Sequence, residues 1–151
     1  LKSTRNFIRK WGHMVKHDSL LHPIVPPKYD VGFVVENCNN DMLKELEPWC
    51  SDIYGDWVGH KGFGVNKYID EEQPNTQFNL KKKLHSTHSE PKNDIIVEFD
   101  ATKLTPDNFQ ILVELSSILK ESGEVGEMEY DIFKFKIKSM DTYEKELINV
   151  V

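Results

Sequence analysis

Two periods of apolar residues alternate along this chain, one helical and one extended. From Ser3 to Lys16, Phe7, Ile8, Trp11, Met14 and Val15 recur at helical spacing behind a Ser3 or Thr4 cap. They predict a short amphipathic helix, weakened by Gly12. The following His22-Pro23-Ile24-Val25-Pro26-Pro27 cannot be helical, because proline fixes its own φ and holds the preceding residue extended. It reads as a stiff connector, and a compact domain is expected to begin near Lys28.

Tyr29, Val31, Phe33 and Val35, with Val34 on the opposite face, predict a mostly buried strand. Asn39 and Asn40 then cap a helix carrying Met42, Leu43 and Leu46, interrupted at Pro48, with one more turn at Trp49 and Cys50. Ile53, Gly55 and Trp57 alternate as a second strand. The polar stretch 59–93 reads as a long insertion, with an edge strand at Phe78, Leu80 and Leu84.

Asp94-Ile95-Ile96-Val97-Glu98-Phe99 is a nearly continuous apolar run of the kind found in central strands. Thr105-Pro106-Asp107 starts a helix, with a hydroxyl cap, a proline at the first position and a carboxylate in the first turn. Its stripe runs through Phe109, Leu112, Val113 and Leu119 and closes at Gly123. From Glu127 to Lys138 one long strand is expected. Its period of two slips between Ile132 and Phe133, as at a β-bulge. The order strand, helix, strand, strand, helix, strand predicts a ferredoxin-like α+β fold, an antiparallel βαββαβ sheet with both helices on one face.

Composition adds a division of charge. The 151 residues carry a formal charge of −6. Residues 1–28 hold Lys2, Arg5, Arg9, Lys10, Lys16 and Lys28 against Asp18 alone, so the remainder is strongly acidic. The chain therefore divides into a basic helical arm, 1–27, and an acidic body, 28–151, and the arm is expected to dock on the body. An acidic body disfavours nucleic acid and anionic membranes. No apolar run approaches the ~20 residues of a membrane-spanning helix, and the N-terminus lacks a signal-peptide core, so a soluble, cytoplasmic protein is expected. The Cys38–Cys50 stretch reads as largely helical, and a rise of ~1.5 Å per residue holds the two thiols too far apart for a disulfide.

Candidate chemistry is sparse. His13 and His17 share a helical face, but the zinc-protease pattern needs a glutamate where Met14 stands. His85 and His88 lie in a Ser/Thr-rich stretch, so neither pair is read as a metal site, and no cofactor is implied. Gly59-His60-Lys61-Gly62-Phe63-Gly64 is glycine-rich, but it lacks the helix start of a phosphate loop. Lys81-Lys82-Lys83 reads as protection of a sheet edge. No nucleophile is assigned.

Phe7-Ile8-Arg9-Lys10-Trp11-Gly12, with His17 and the Pro23-Ile24 step, resembles the C-terminal end of the catalytic domain in some family 2 type (GT-A) glycosyltransferases. The resemblance covers residues 7–24. It implies a tail of such an enzyme with an appended domain, the catalytic domain lying upstream. The Asp-x-Asp metal motif of that family is absent from this chain, and no catalytic residue carries over.

Two functional expectations follow. The first is a non-catalytic accessory or interaction module that pairs with another copy, an upstream domain or a partner protein. Phe133, Phe135 and Ile137 would lie on a second, uncovered apolar face. The alternative is a small phosphorylated or sugar ligand held between the 59–68 loop and the basic arm, by His60, Lys61, Lys67, Trp11 and His13.

Overall fold

A computed structural model describes residues 2–12, 16–17, 23–24, 28–56 and 63–140. Helix α1 spans Lys2–Trp11 and ends at Gly12, whose N–H still reaches the Ile8 carbonyl and whose φ of +79° turns the chain out of the helix. Two short strands, β1 (Lys16–His17) and β2 (Pro23–Ile24), pair antiparallel, so the helix expected to reach Lys16 stops at Trp11 and β2 alone lies in the proline-rich connector.

The body is built on six strands: β3 (Val31–Glu36), β4 (Asp52–Gly55), β5 (Leu84–Ser86), β6 (Ile95–Asp100), β7 (Gly126–Tyr130) and β8 (Phe133–Ile137). They lie in the order β5-β4-β3-β6-β8-β7. β5, β4, β3 and β6 run parallel, while β8 is antiparallel to both β6 and β7. The α+β class holds, but the antiparallel ferredoxin-like sheet does not. A buried strand has the same apolar pattern whichever way its neighbours run, so direction was not written in the periodicity.

Two further expectations change. The bulged last strand is a hairpin, β7 and β8, joined by Asp131-Ile132 with Asp131 at φ 55°. The slip in phase is the turn itself, made by an aspartate that tolerates the left-handed region in place of the usual glycine pair. The 59–93 insertion contains a helical crossover between parallel strands: α3 (Phe63–Glu72), α4 (Leu80–Lys83) and then β5. Of the edge strand expected at Phe78, Leu80 and Leu84, only Leu84 lies in one, β5 at the end of the sheet, while Phe78 lies in a turn and Leu80 in α4. Lys81, Lys82 and Lys83 belong to that helix, where Lys83 is buried.

The remaining helices follow their caps. Asn39 accepts the Met42 N–H at the start of α2 (Asn40–Leu46), and a 3-10 turn through Glu47–Trp49 succeeds it at Pro48. Thr105 and Asn108 form a reciprocal capping box before α5 (Pro106–Val113). The helix read as continuous to Gly123 breaks at Glu114, and α6 (Leu115–Ser122) completes it.

Leu43, Leu46, Tyr68, Leu80, Leu112, Leu115 and Leu119 from these helices join Phe33, Ile53, Val97, Phe133 and Phe135 from the sheet in one core. Burying each large side chain contributes about 1.5–3 kcal/mol. Phe99 packs edge-on against both Phe33 and Phe133, at centroid distances of 5.8 and 5.1 Å.

Phe133, Phe135 and Ile137 are thus core residues, not a second face awaiting cover. Their alternates Lys134 and Lys136 lie on the opposite face, where Lys136 pairs with Glu98 at 3.2 Å and is opposed in register by Glu127. Around these lysines that face is polar. Among the described residues no helix is long and apolar enough to cross a membrane.

Candidate functional site

Three segments converge at the N-terminal ends of the parallel strands: Lys28 before β3, Cys50–Asp52 entering β4, and Phe78–Lys83 leading into β5. With Arg9 of α1 they line a cleft of about 340 Å³ containing Arg9, Lys28, Lys82 and Lys83 but one acid, Asp52. Ser51 also lines it, and its buried Oγ has no hydrogen-bond partner among the described residues.

The wall beneath is a buried charge network. Glu47 is fully buried in the apolar run Leu46-Glu47-Pro48-Trp49. Its carboxylate takes Arg9 Nη2 at 2.6 Å, Arg9 Nε at 3.1 and 3.2 Å, Lys83 Nζ at 2.8 Å and the Tyr68 hydroxyl at 2.8 Å. Arg5 donates to Tyr68 and pairs with Glu72 at 3.0 Å. Burial alone would raise the Glu47 pKa, but the bonded Arg9 and the charge of Lys83 outweigh it and hold the carboxyl at about 2. Burial first, and then Glu47, push the Tyr68 hydroxyl well above the usual phenol range.

This network gives the protein an acid limb. A carboxyl depressed on folding contributes its full stability above its unfolded pKa of 4.5 and loses it as pH falls through about 2. Chemical denaturation between pH 5 and pH 2 is expected to show a fall of about 2–4 kcal/mol assignable to Glu47. A flat profile across that window would contradict the assignment.

Lys28 donates to the Arg9 carbonyl at 2.9 Å, tying the cleft to the end of α1. Burial and then the nearby positive charge of Lys83 lower its pKa. The ammonium groups of Lys28 and Lys83 therefore repel each other across the cleft, and an anion between them would relieve that repulsion. Lys82 is exposed and makes no ion pair among the described residues.

Beside the cleft, Asn93 knits the same strand ends together. Its amide nitrogen donates to Asp30 at 2.6 Å and Asp52 at 2.7 Å, and its oxygen accepts from Tyr54 at 3.0 Å. His85 bonds Asp52 at 2.8 Å and stacks on Tyr54 at 4.7 Å. Its histidine-pair partner, His88, is exposed, and no group of three potential metal ligands occurs among the described residues. At the other end of the strands, Asp56 accepts the Asn37 N–H and Asn37 reaches Asp100, so those polar groups bond one another.

Of the ligand residues expected from sequence, His13, His60 and Lys61 lie outside the described residues. Trp11 is exposed, packs on Phe7 and lies under Lys10. Lys67 is exposed on α3, and neither it nor Trp11 lines the cleft. Of the basic arm, Arg9 rather than Trp11 lines the cleft.

Glu47, Lys83, Lys28 and Ser51 were missed by sequence reading. A lone acid inside an apolar run was the one available signal, since such a residue must find a buried counter-charge. Cys38 and Cys50 are free, as their spacing implied, and burial raises both thiols to about 12.

The fold and the cleft define an α+β domain with a basic, partly buried recess at the N-terminal ends of its parallel strands. Comparison with protein-family models, with curated proteins and with solved structures returns no match.

Proposed function

We propose that this domain is an accessory binding module that holds a small anionic ligand of the phosphorylated class in the cleft between α1 and Lys82-Lys83. The observation that carries this reading is the convergence of Lys28, Lys82 and Lys83 with the unpartnered Ser51 hydroxyl. Ammonium groups and a hydroxyl are the donors a phosphate accepts, and a recess that excludes part of the solvent strengthens each contact. The glycosyltransferase resemblance of residues 7–24 includes Arg9 of the cleft wall. It supports a role beside sugar-nucleotide chemistry without supplying a catalytic residue.

Thermal unfolding with rising pyrophosphate tests the reading. A ligand that favours the folded state raises the melting temperature as its concentration passes Kd. Lys82→Glu is expected to leave the ligand-free melting temperature within about 2 °C of the parent, because exposed sites contribute little, and to abolish the rise. A rise of equal size in both proteins, or none in either, would sink the proposal.

A further inference from the structure

Phe78 is an aromatic residue left 38% exposed between two recesses. It lines the basic cleft, and it also lines a second cleft of about 440 Å³ formed with Asn6, Lys10, Asn75, Thr76 and Gln77. The two therefore meet at Phe78. The first offers ammonium groups; the second offers amides, a hydroxyl and a single ammonium.

The ring stands on a braced turn. Gln73 donates to the carbonyls of Thr76 and Phe78 at 3.2 and 2.7 Å and accepts the Leu80 N–H at 2.9 Å. The Phe78 N–H bonds the Thr76 hydroxyl at 3.2 Å, and Asn79 caps α4. Asn6 of α1 donates to the Asn75 carbonyl at 2.8 Å, fixing the far rim to the helix. A loop fixed this way loses little freedom when a ligand lands on it, and preorganisation of this kind raises affinity.

From this geometry we infer that the groove takes a ligand with a phosphate group joined to a flat ring. The phosphate lies among Lys28, Lys82 and Lys83, the ring lies on Phe78, and its polar edge points toward Asn75 and Gln77. An exposed aromatic ring is a platform on which a flat ring such as a nucleic-acid base stacks, whatever its sequence of polar groups. The shared chemistry is a phosphorylated ring compound, a nucleotide or a sugar phosphate. This inference rests on the anion-binding reading of the basic cleft.

Calorimetric titration of the full chain separates the two ideas. Adenosine diphosphate is compared with pyrophosphate, and glucose 1-phosphate with inorganic phosphate. One ring compound is expected to bind at least tenfold more tightly than its ringless counterpart, and which pair shows the gap names the ring. Phe78→Ala should bring that ratio near one, and Phe78→Trp should restore it.

If ringless anions bind in a Lys82-dependent way while neither ring adds affinity, the ring inference fails and the anion site stands. If no anion binds, both fail. Because Phe78 is exposed, both variants are expected to melt within about 2 °C of the parent.

Discussion

Glu47→Gln is expected to destabilise the fold by about 3–5 kcal/mol, the range observed when one partner of a buried ion pair is removed. The amide keeps the shape of the side chain, so packing is not the cause. What is lost is the counter-charge for Arg9, whose side chain is fully buried, and for Lys83, which is 8% exposed. Glu72 approaches Arg9 only at 3.7 Å and already serves Arg5 at 3.0 Å. Removing the stranded ammonium as well, in Glu47→Gln with Lys83→Met, should recover part of the loss, and that coupling is readable from a double-mutant cycle. The single variant should also lose the acid limb between pH 5 and pH 2. A loss below about 1 kcal/mol would show that solvent or relaxation compensates the cations.

Gly32→Ala is expected to cost about 3–5 kcal/mol for a different reason. A Cβ at this position would lie 2.3 Å from Asn93 Oδ1 and 2.8 Å from its Cγ, inside any permitted contact. Asn93 is 3% exposed and cannot swing aside without releasing Asp30, Asp52 and Tyr54. Each lost hydrogen bond is worth about 0.5–1.5 kcal/mol, more to a charged partner, and residual overlap adds about 1–3. At about 2–4 °C per kcal/mol for a domain near this size, the melting temperature should fall by roughly 6–20 °C. Asn93→Ala opens the space that a methyl at 32 would fill, so the double variant should be more stable than the sum of the two losses allows. Simple additivity would contradict the steric account.

The sequence made some of this fold legible and concealed the rest for identifiable reasons. Asn39, the Thr105-Pro106 pair and Gly123 act through the backbone of their own helices, so their signals are local and the caps stand where they predict. β3 and β6 were readable as buried strands from their apolar runs, but their parallel pairing depends on the crossovers between them. α3 was concealed because it opens on Phe63-Gly64 and carries a mostly polar surface. The β7–β8 turn was concealed because Asp131-Ile132 lacks the glycine that marks tight hairpins. Similarly, Lys81-Lys82-Lys83 looks uniform in sequence, yet helical geometry sends Lys83 inward with Leu80 and leaves Lys81 and Lys82 outside. The candidate cleft joins residues 9, 28, 51 and 83, and no local window spans them.

Asn93 also bears on the order in which the molecule is completed. Its amide bridges two carboxylates that belong to earlier parts of the chain, at the mouths of β3 and β4. During synthesis Asp30 and Asp52 emerge first, and the amide that bridges them is supplied only once residue 93 has followed. The bridge across the mouths of β3 and β4 therefore comes from a residue more than forty positions downstream of either strand's start.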